Sequence, residues 1–153
     1  MIVLRAIEQR EFSNYEKEFI SDYSEDLRIN HKHSEEESEV IAKNALSNSF
    51  PRGISESNDI LQCIEFSGEI VGYLWHSLSP DQSKAFISDI FVLETFRSKG
   101  YGKMAISELE KQLSREKIST LSLRVAHDNP RALELYKRVG FHITGTNMSK
   151  KLP

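Results

Sequence analysis

The chain has 153 residues, of which 39% are hydrophobic and 28% charged, with a formal net charge of −3. This length favours one domain, residues 1–153, with a hydrophobic core of its own. The acidic balance argues against nucleic-acid binding, and no apolar stretch is long enough to span a membrane. The single cysteine, Cys63, excludes an internal disulfide and is expected in the core. Because Met1–Arg5 lacks a secretory signal pattern, we expect a cytoplasmic protein.

The N-terminal half predicts one strand followed by two helices. Residues 2–7 form a short apolar strand, and aromatic residues at helical spacing predict a helix over about residues 8–26. Ser34 is the expected N-cap of the second helix, and Glu37 at its third position would complete a capping box. Phe50–Gly53 should end this helix.

The rest of the chain predicts a sheet interrupted by two more helices. One helix covers residues 101–115, and the other begins at an Asn129 cap with Pro130 in its first turn and stops at Gly140. The expected element order is βααβββαβαββ, a mixed α/β (α+β) fold with about seven strands and four flanking helices. The strands after the first are predicted at residues 60–66, 69–78, 84–93, 118–125, 141–145 and 147–151.

The turn Arg97–Gly102 has the features of an anion-binding site. It follows an apolar strand and precedes a helix, and its glycines allow the backbone to approach a ligand closely. The first amides of the helix have no intrahelical partner and would point toward an anion. A purely structural cap is the alternative interpretation. A P-loop is excluded because Met104 stands where Ser or Thr is required, and a dinucleotide fingerprint because no third glycine is at the needed spacing.

A second motif makes the interpretation of this turn more specific. The segment Asn129–Phe141 fits Asn-x-x-Ala-x-x-x-Tyr-x-x-x-Gly-Phe, and the turn Arg97–Gly102 fits Gln/Arg-x-x-Gly-x-Gly/Ala. The two motifs, in this order and with a strand between them, resemble the GNAT superfamily of N-acetyltransferases. The motif-level resemblance covers Ile87–Phe141, and one departure is Glu94, where the superfamily often has proline.

The resemblance implies acetyl-CoA as the acyl donor, a primary amine as the acceptor, and direct attack in a ternary complex. The pantetheine arm would pair with the open edge of the central strand, provided that the strand at residues 121–125 splays away. The pyrophosphate would lie on the amides of the glycine turn. The expected cofactor contacts are Ile90, Phe91, Val92, Arg97, Ser98, Lys99, Gly100, Tyr101, Gly102, Lys103, Asn129 and Tyr136.

Two side chains are candidates for the chemistry itself. The resemblance makes Tyr136 the proton donor to the departing thiolate, since a phenol of pKa ~10 is protonated at neutral pH. A core-facing aromatic residue is the alternative. Asp89, a carboxylate among apolar neighbours, is the candidate base because burial would raise its pKa. Its alternative role is to hold a loop amide or Arg124.

The sequence defines the acceptor side less well. We expect a pocket at the first two helices, the irregular segments 22–34 and 50–59, and the strand around Trp75. His31 and His33 have no further ligands at matching spacing, so no metal is expected. A polyamine, amino acid, aminoglycoside, peptide N-terminus or protein lysine would all suit an acetyltransferase. A homodimer is expected by analogy alone, and a catalytically silent acetyl-CoA sensor is the alternative function. The residues that would attract a cationic amine, or else form a solvated helix end, are Asp22, Tyr23, Glu25 and Asp26.

Overall fold

The computed structural model describes residues 1–54 and 57–153. Within these residues the chain forms five strands and four α-helices, with a 3-10 turn at Glu94–Phe96. The strands are β1 (Ile2–Ala6), β2 (Asp59–Phe66), β3 (Glu69–Leu78), β4 (Lys84–Val92) and β5 (Thr120–Leu123). The helices are α1 (Gln9–Asn30), α2 (Glu35–Ser49), α3 (Tyr101–Arg115) and α4 (Pro130–Arg138).

The strands form one mixed sheet in the order β1-β2-β3-β4-β5. Strands β1 to β4 pair with one another in antiparallel fashion, and β5 is parallel to β4. Strand alternation divides the core into two layers. Tyr73 and Trp75 face the aromatic side chains of α1, whereas Leu74 between them faces α3. Cys63 is fully buried in the α1 layer, as predicted.

The helix ends follow the predicted capping chemistry with one difference. The Asn129 side chain accepts from the Ala132 amide at 3.1 Å, and Gly140 at φ 104° ends α4. At α2 the Ser34 hydroxyl accepts from the Glu37 amide at 3.2 Å. The reciprocal bond of the predicted box is not formed, because the Glu37 carboxylate lies 3.3 Å from His33 Nδ1. The complete capping box is instead at the start of α1.

The prediction of about seven strands is wrong for this structure. Residues 141–145 and 147–151, both fully described, form no strand, and the sheet has five strands. These two segments are separated by Thr146 alone, and a short two-stranded hairpin without a third strand is marginally stable. Residues that favour strands are present in both segments, but neither segment pairs with another strand of the described structure.

Two further boundaries differ from the sequence-based predictions. Helix α1 continues to Asn30, so most of the segment 22–34 that was expected to be irregular is helical. Strand β5 is shorter than the predicted 118–125 and leaves residues 124–128 as a loop. Residues 55 and 56, within the predicted irregular segment 50–59, lie outside the described residues. In the described ranges, no helix combines the length and the apolar content that a membrane crossing requires.

Candidate active site

Strands β4 and β5 part halfway along β4. They are paired from Lys84–Thr120 to Ile87–Leu123, and no β5 residue is paired with β4 beyond that point. A β-bulge lies where the strands part. Neighbouring residues of β3 face Ile87 and Asp89, so that Ser88 is the extra residue on β4. Bulges bend a strand and interrupt its ladder. The predicted gap between the two strands is therefore present.

The backbone of β4 presents hydrogen-bonding groups to this gap. The Leu93 amide donates to the Val71 carbonyl on β3 at 2.9 Å. Because antiparallel ladders alternate, Phe91 also bonds toward β3, whereas Ile90 and Val92 point their N–H and C=O groups toward the open side. Of the three predicted backbone contacts, Ile90 and Val92 can pair with an extended ligand and Phe91 is used within the sheet.

The glycine turn forms a concave set of free amides. Ser98 and Gly100 have left-handed φ values of 65° and 84°, and Gly100 is the N-cap of α3. The first main-chain bond of the helix runs from the Met104 amide to the Gly100 carbonyl at 3.1 Å. Within the described chain, no residue accepts a hydrogen bond from the amides of residues 98–103. Such a turn at a helix N-terminus is a strong anion site.

The side chains of the turn are used differently from the backbone. Arg97 was predicted as a cofactor contact. In this structure its Nε donates to the Val92 carbonyl at 2.9 Å and its guanidinium lies 5.0 Å from the Phe91 ring. Arg97 therefore fastens the turn to the end of β4. The Tyr101 ring packs on Phe66 at 5.0 Å between centroids, which leaves its amide as the group that faces a ligand.

The cations at the turn include one residue that the sequence analysis missed. Lys99 and Lys103 are exposed, as a phosphate-binding role would require. Arg131 of α4 donates to the Ser98 hydroxyl and so brings a third positive charge to the turn. It occupies an unspecified position of the second motif, and only the tertiary fold brings it to the first.

Gly102 is not required by the packing of the protein. A Cβ atom built on it would lie 3.8 Å from Leu135 and 3.9 Å from Val92, which are ordinary contact distances. Its backbone φ is not in the left-handed region. The free space above Gly102 is therefore available to a ligand rather than needed for the fold.

A cavity of about 420 Å³ opens beside the gap, on the side of α1. Its walls come from α1, α2, β3, β4, the β5–α4 loop and α4. They include aromatic side chains and carboxylates. The cavity residues used below are Phe19, Asp22, Tyr23, Asp26, Trp75, Asp89, Asn129 and Tyr136.

Asp89 lies at the bulge, where its carboxylate meets α1. The Tyr15 hydroxyl, which is fully buried, donates to Asp89 Oδ2 at 2.8 Å. Burial raises the pKa of the Asp89 carboxyl to about 7, although the Tyr15 hydrogen bond acts in the opposite direction. Arg124, the alternative partner, forms no hydrogen bond with Asp89 and instead donates to Asp26 at 3.3 Å. Among the described residues, no cation therefore pairs with this carboxylate to hold it ionised.

Tyr136 is held at the edge of the cavity with its hydroxyl available. Its ring packs edge-on against Phe141 at 5.9 Å between centroids. Burial, with the negative charges of Asp89 and Asp22, raises its pKa to about 12. Within the described residues no group hydrogen-bonds to its hydroxyl. The phenol thus stays protonated at neutral pH and can donate to a ligand atom.

The acidic residues of α1 differ in how they are used. Asp26 accepts from Asn30 at 2.7 Å as well as from Arg124. Glu25 lies outside the cavity and lines a separate groove against α2. Asp22 is exposed at the cavity mouth and accepts no hydrogen bond from the described residues. Partial desolvation raises its pKa, and the positive charge of Arg97 opposes this shift.

Asn129 and Trp75 complete the cavity wall. Asn129 uses its side-chain oxygen to cap α4, which leaves the side-chain nitrogen facing outward from the cap. The Trp75 indole donates to Asp59 Oδ1 at 2.9 Å, and its ring packs 5.3 Å from Phe19. The predicted strand around Trp75 therefore lines this cavity.

Comparison with known proteins agrees with this geometry. Residues 7–141 match the acetyltransferase (GNAT) family. The uncharacterized N-acetyltransferase YycN of Bacillus subtilis (strain 168) is 32% identical over 154 residues, covering 99% of each protein. The uncharacterized N-acetyltransferase YdgE of the same organism is 31% identical over 122 residues, or 78% of each.

Solved structures agree as well. The crystal structure of YycN aligns with a TM-score of 0.92 at 31% identity, over 100% of this chain and 99% of that chain. The PaiA N-acetyltransferase of Thermoplasma acidophilum, solved in complex with coenzyme A, aligns with a TM-score of 0.72 over 96% of this chain and 93% of its own. At 19% identity, PaiA shares the fold.

The chain belongs to the GNAT family of acetyltransferases, as its two motifs indicated. It is an acetyl-CoA-dependent N-acetyltransferase, and its acceptor amine is unidentified. An unrelated α/β domain whose glycine turn serves as a structural cap is thereby excluded.

Proposed function

We propose that the protein acetylates a cationic primary amine, with acetyl-CoA in the gap between β4 and β5 and the amine in the adjoining cavity. The observation that carries this proposal is the position of Asp89. Its carboxylate, of pKa about 7, lies at the bulge where the gap and the cavity meet. A base is needed there, because an alkylamine of pKa ~10.4 is mostly protonated at neutral pH.

The donor half of the site fits acetyl-CoA through its backbone. The free amides of residues 98–103, with the Arg131 guanidinium beside them, suit a pyrophosphate. The outward N–H and C=O groups of Ile90 and the outward N–H of Val92 suit a pantetheine arm, since the Val92 carbonyl already accepts from Arg97. Acetyl-CoA supplies an activated thioester carbonyl, and the free amide of Val92 is placed to donate to its oxygen.

Asp89 acts as the base in this proposal. A carboxylate of pKa about 7 is largely ionised above pH 7 and is basic enough to accept a proton efficiently. Tyr15 orients it by donating one hydrogen bond, and the other carboxylate oxygen remains for the acceptor amine or a water molecule. Tyr15 is thus a positioning residue.

Tyr136 donates to the leaving sulfur. Between the Asp89 pKa of about 7 and the raised Tyr136 pKa of about 12, the carboxylate is ionised while the hydroxyl stays protonated. One group therefore takes a proton while the other supplies one, and the difference between the two pKa values separates the roles.

Asp22 selects for a positively charged acceptor. It is the cavity carboxylate with no partner among the described residues, in contrast to Asp26, which is bound to Arg124 and Asn30. The aromatic side chains of Phe19, Tyr23 and Trp75 line the same cavity and add an apolar surface for an alkyl chain. We therefore expect an acceptor that carries a second positive charge, or one whose ammonium group is borne on a long alkyl chain.

The experiment is thiol release from acetyl-CoA with a panel of amines. Diaminoalkanes of increasing length are compared with monoamines of equal length and with neutral or acidic amino acids. Turnover should be highest for the dications, and a preference for acidic amino acids would contradict the proposal. A catalytically silent sensor would show thermal stabilisation by acetyl-CoA but no thiol release with any amine.

A homodimer is also part of the proposal.

A further inference from the structure

One face of α1 leads from the base along the acceptor cavity. The residues on this face, at successive turns of the helix, are Tyr15, Phe19, Asp22 and Asp26. Tyr15 bonds the base Asp89, and the other three line the cavity. At 1.5 Å per residue, Asp22 lies about 10 Å and Asp26 about 16 Å along the helix axis from Tyr15. An acceptor that extends along α1 from Asp89 therefore meets Asp22 first and Asp26 one turn later.

The second of these two carboxylates already has a cation bound to it. Arg124, in the loop after β5, donates from Nη1 to Asp26 Oδ2 at 3.3 Å. The Nη2 atom of Arg124 lies 3.1 Å from His31 Nε2. Because a guanidinium can only donate, the Nε2 atom of His31 accepts this bond and carries no proton. The Asp26 side chain is 14% exposed and also accepts from Asn30 at 2.7 Å, so Arg124 covers most of what remains of the carboxylate.

Arg124 lies where a positive charge of the acceptor would otherwise bind. It lines the cavity together with the carboxylates of Asp22, Asp26 and Asp89. Among the described residues that line this cavity, Arg124 is the one arginine or lysine. Its side chain is 45% exposed, so an incoming amine can reach it from solvent. A partly exposed ion pair contributes little to the stability of a fold, which leaves a role in binding as the better explanation of its position.

We propose that Arg124 limits the number of positive charges that the acceptor amine can carry. Its guanidinium occupies Asp26 and leaves Asp22 to bind one ammonium group besides the reacting amine. A third ammonium group, one turn further along α1, meets the like charge of Arg124 and is disfavoured. Arg124 is thus a specificity-determining residue that favours diamines over triamines. This inference rests on the proposed function and names the class of cationic amine within it.

A purely structural role of the Arg124–Asp26 pair makes a different prediction. The pair joins α1 to the β5–α4 loop, but Asn30 of α1 also donates to Asp128 of that loop at 2.8 Å. The two elements therefore stay connected without Arg124. If Arg124 only held the loop in place, its replacement would change the turnover of all amines alike. If it excludes a third charge, its replacement favours triamines selectively.

The test compares the linear triamine dipropylenetriamine with its fragment diaminopropane, as the ratio of their kcat/KM values in thiol release from acetyl-CoA. Arg124→Gln should raise this ratio on the order of fivefold, because the third ammonium group gains a partly buried carboxylate. Arg124→Met should raise it too, so the result does not depend on the folding of one variant. Arg28→Gln is the matched control, because it removes the same charge from α1 outside the cavity and should leave the ratio unchanged.

The double variant Arg124→Gln/Asp26→Asn tests whether Asp26 is the group that Arg124 covers. It should return the ratio to the wild-type value. An unchanged ratio in both Arg124 variants, or a raised ratio that persists without the Asp26 carboxylate, would overturn the proposal. Calorimetric titration with the two amines in the presence of coenzyme A gives the same ratio as affinities, without turnover. A wild-type protein that binds these amines but releases no thiol contradicts the proposed function, whereas the affinity ratios still determine the role of Arg124.

Discussion

The donor and acceptor halves of this site are built in different ways. In the proposed function the donor half consists of the turn 97–103 and the nearby open edge of β4, and its binding groups are mostly backbone groups. The acceptor half is assembled from distant parts of the chain, as the hydrogen bond between Tyr15 and Asp89 across 74 positions shows. Its chemistry depends on side chains and on their burial. Substitutions should therefore affect the two halves separately.

The largest effect is expected from Asp89→Asn, which removes the base and keeps the shape of the side chain. We expect kcat/KM for the amine to fall on the order of 10²- to 10⁴-fold, the usual contribution of a general base. Steady-state thiol release measures this loss. Calorimetry should show unchanged acetyl-CoA affinity, since the donor half is intact. A variant that keeps most of its activity would remove Asp89 from the mechanism.

Gly102→Asp should disrupt the donor half alone. The carboxylate would face the phosphates, and we expect acetyl-CoA affinity to fall about 10- to 100-fold. The fold should tolerate the change, because the neighbours of a Cβ there are at 3.8 and 3.9 Å and an acidic residue is favourable in the first turn of a helix. Calorimetry measures the affinity for acetyl-CoA and thermal unfolding measures the stability of the fold, so the two effects can be separated. Gly102→Ala is the control, and equal affinity in both variants would argue against a phosphate at this turn.

Tyr136→Phe tests the proton donor between the two halves. We expect kcat to fall roughly tenfold or more while acetyl-CoA affinity is largely retained, because the ring keeps its contact with Phe141. Single-turnover measurements ensure that the chemical step is observed. Unchanged turnover under those conditions would show that the hydroxyl plays no part in the reaction.

Asp22→Asn should have the smallest effect, and it should be confined to the acceptor. For a dicationic amine we expect KM to rise several-fold, as for the loss of one partly exposed ion pair. The KM for acetyl-CoA should not change. Glu25→Gln on the same helix is the matched control, because Glu25 lies outside the cavity. An equal effect of both substitutions would reduce the role of Asp22 to general surface charge.

The sequence predicted the donor half more completely than the acceptor half. The motif residues Gly100 and Asn129 carry their local geometry with them, as left-handed N-cap and side-chain cap. The Arg131–Ser98 contact and the Tyr15–Asp89 pair could not be predicted, because neither has a local pattern and both require the tertiary fold. The two C-terminal strands were predicted wrongly for a related reason. The strand propensity of residues 141–151 does not specify an edge with which they pair.

The pH dependence of kcat/KM for the acceptor tests the central claim most directly. In the free enzyme the base is active when ionised, so the rate should fall as pH decreases through about 7, the raised pKa of Asp89. Tyr15→Phe should move this acidic limb to higher pH, because the lost hydrogen bond had lowered that pKa. Asp89→Asn should abolish the limb. An acidic limb at the same pH in all three proteins would contradict the assignment of Asp89 as the base.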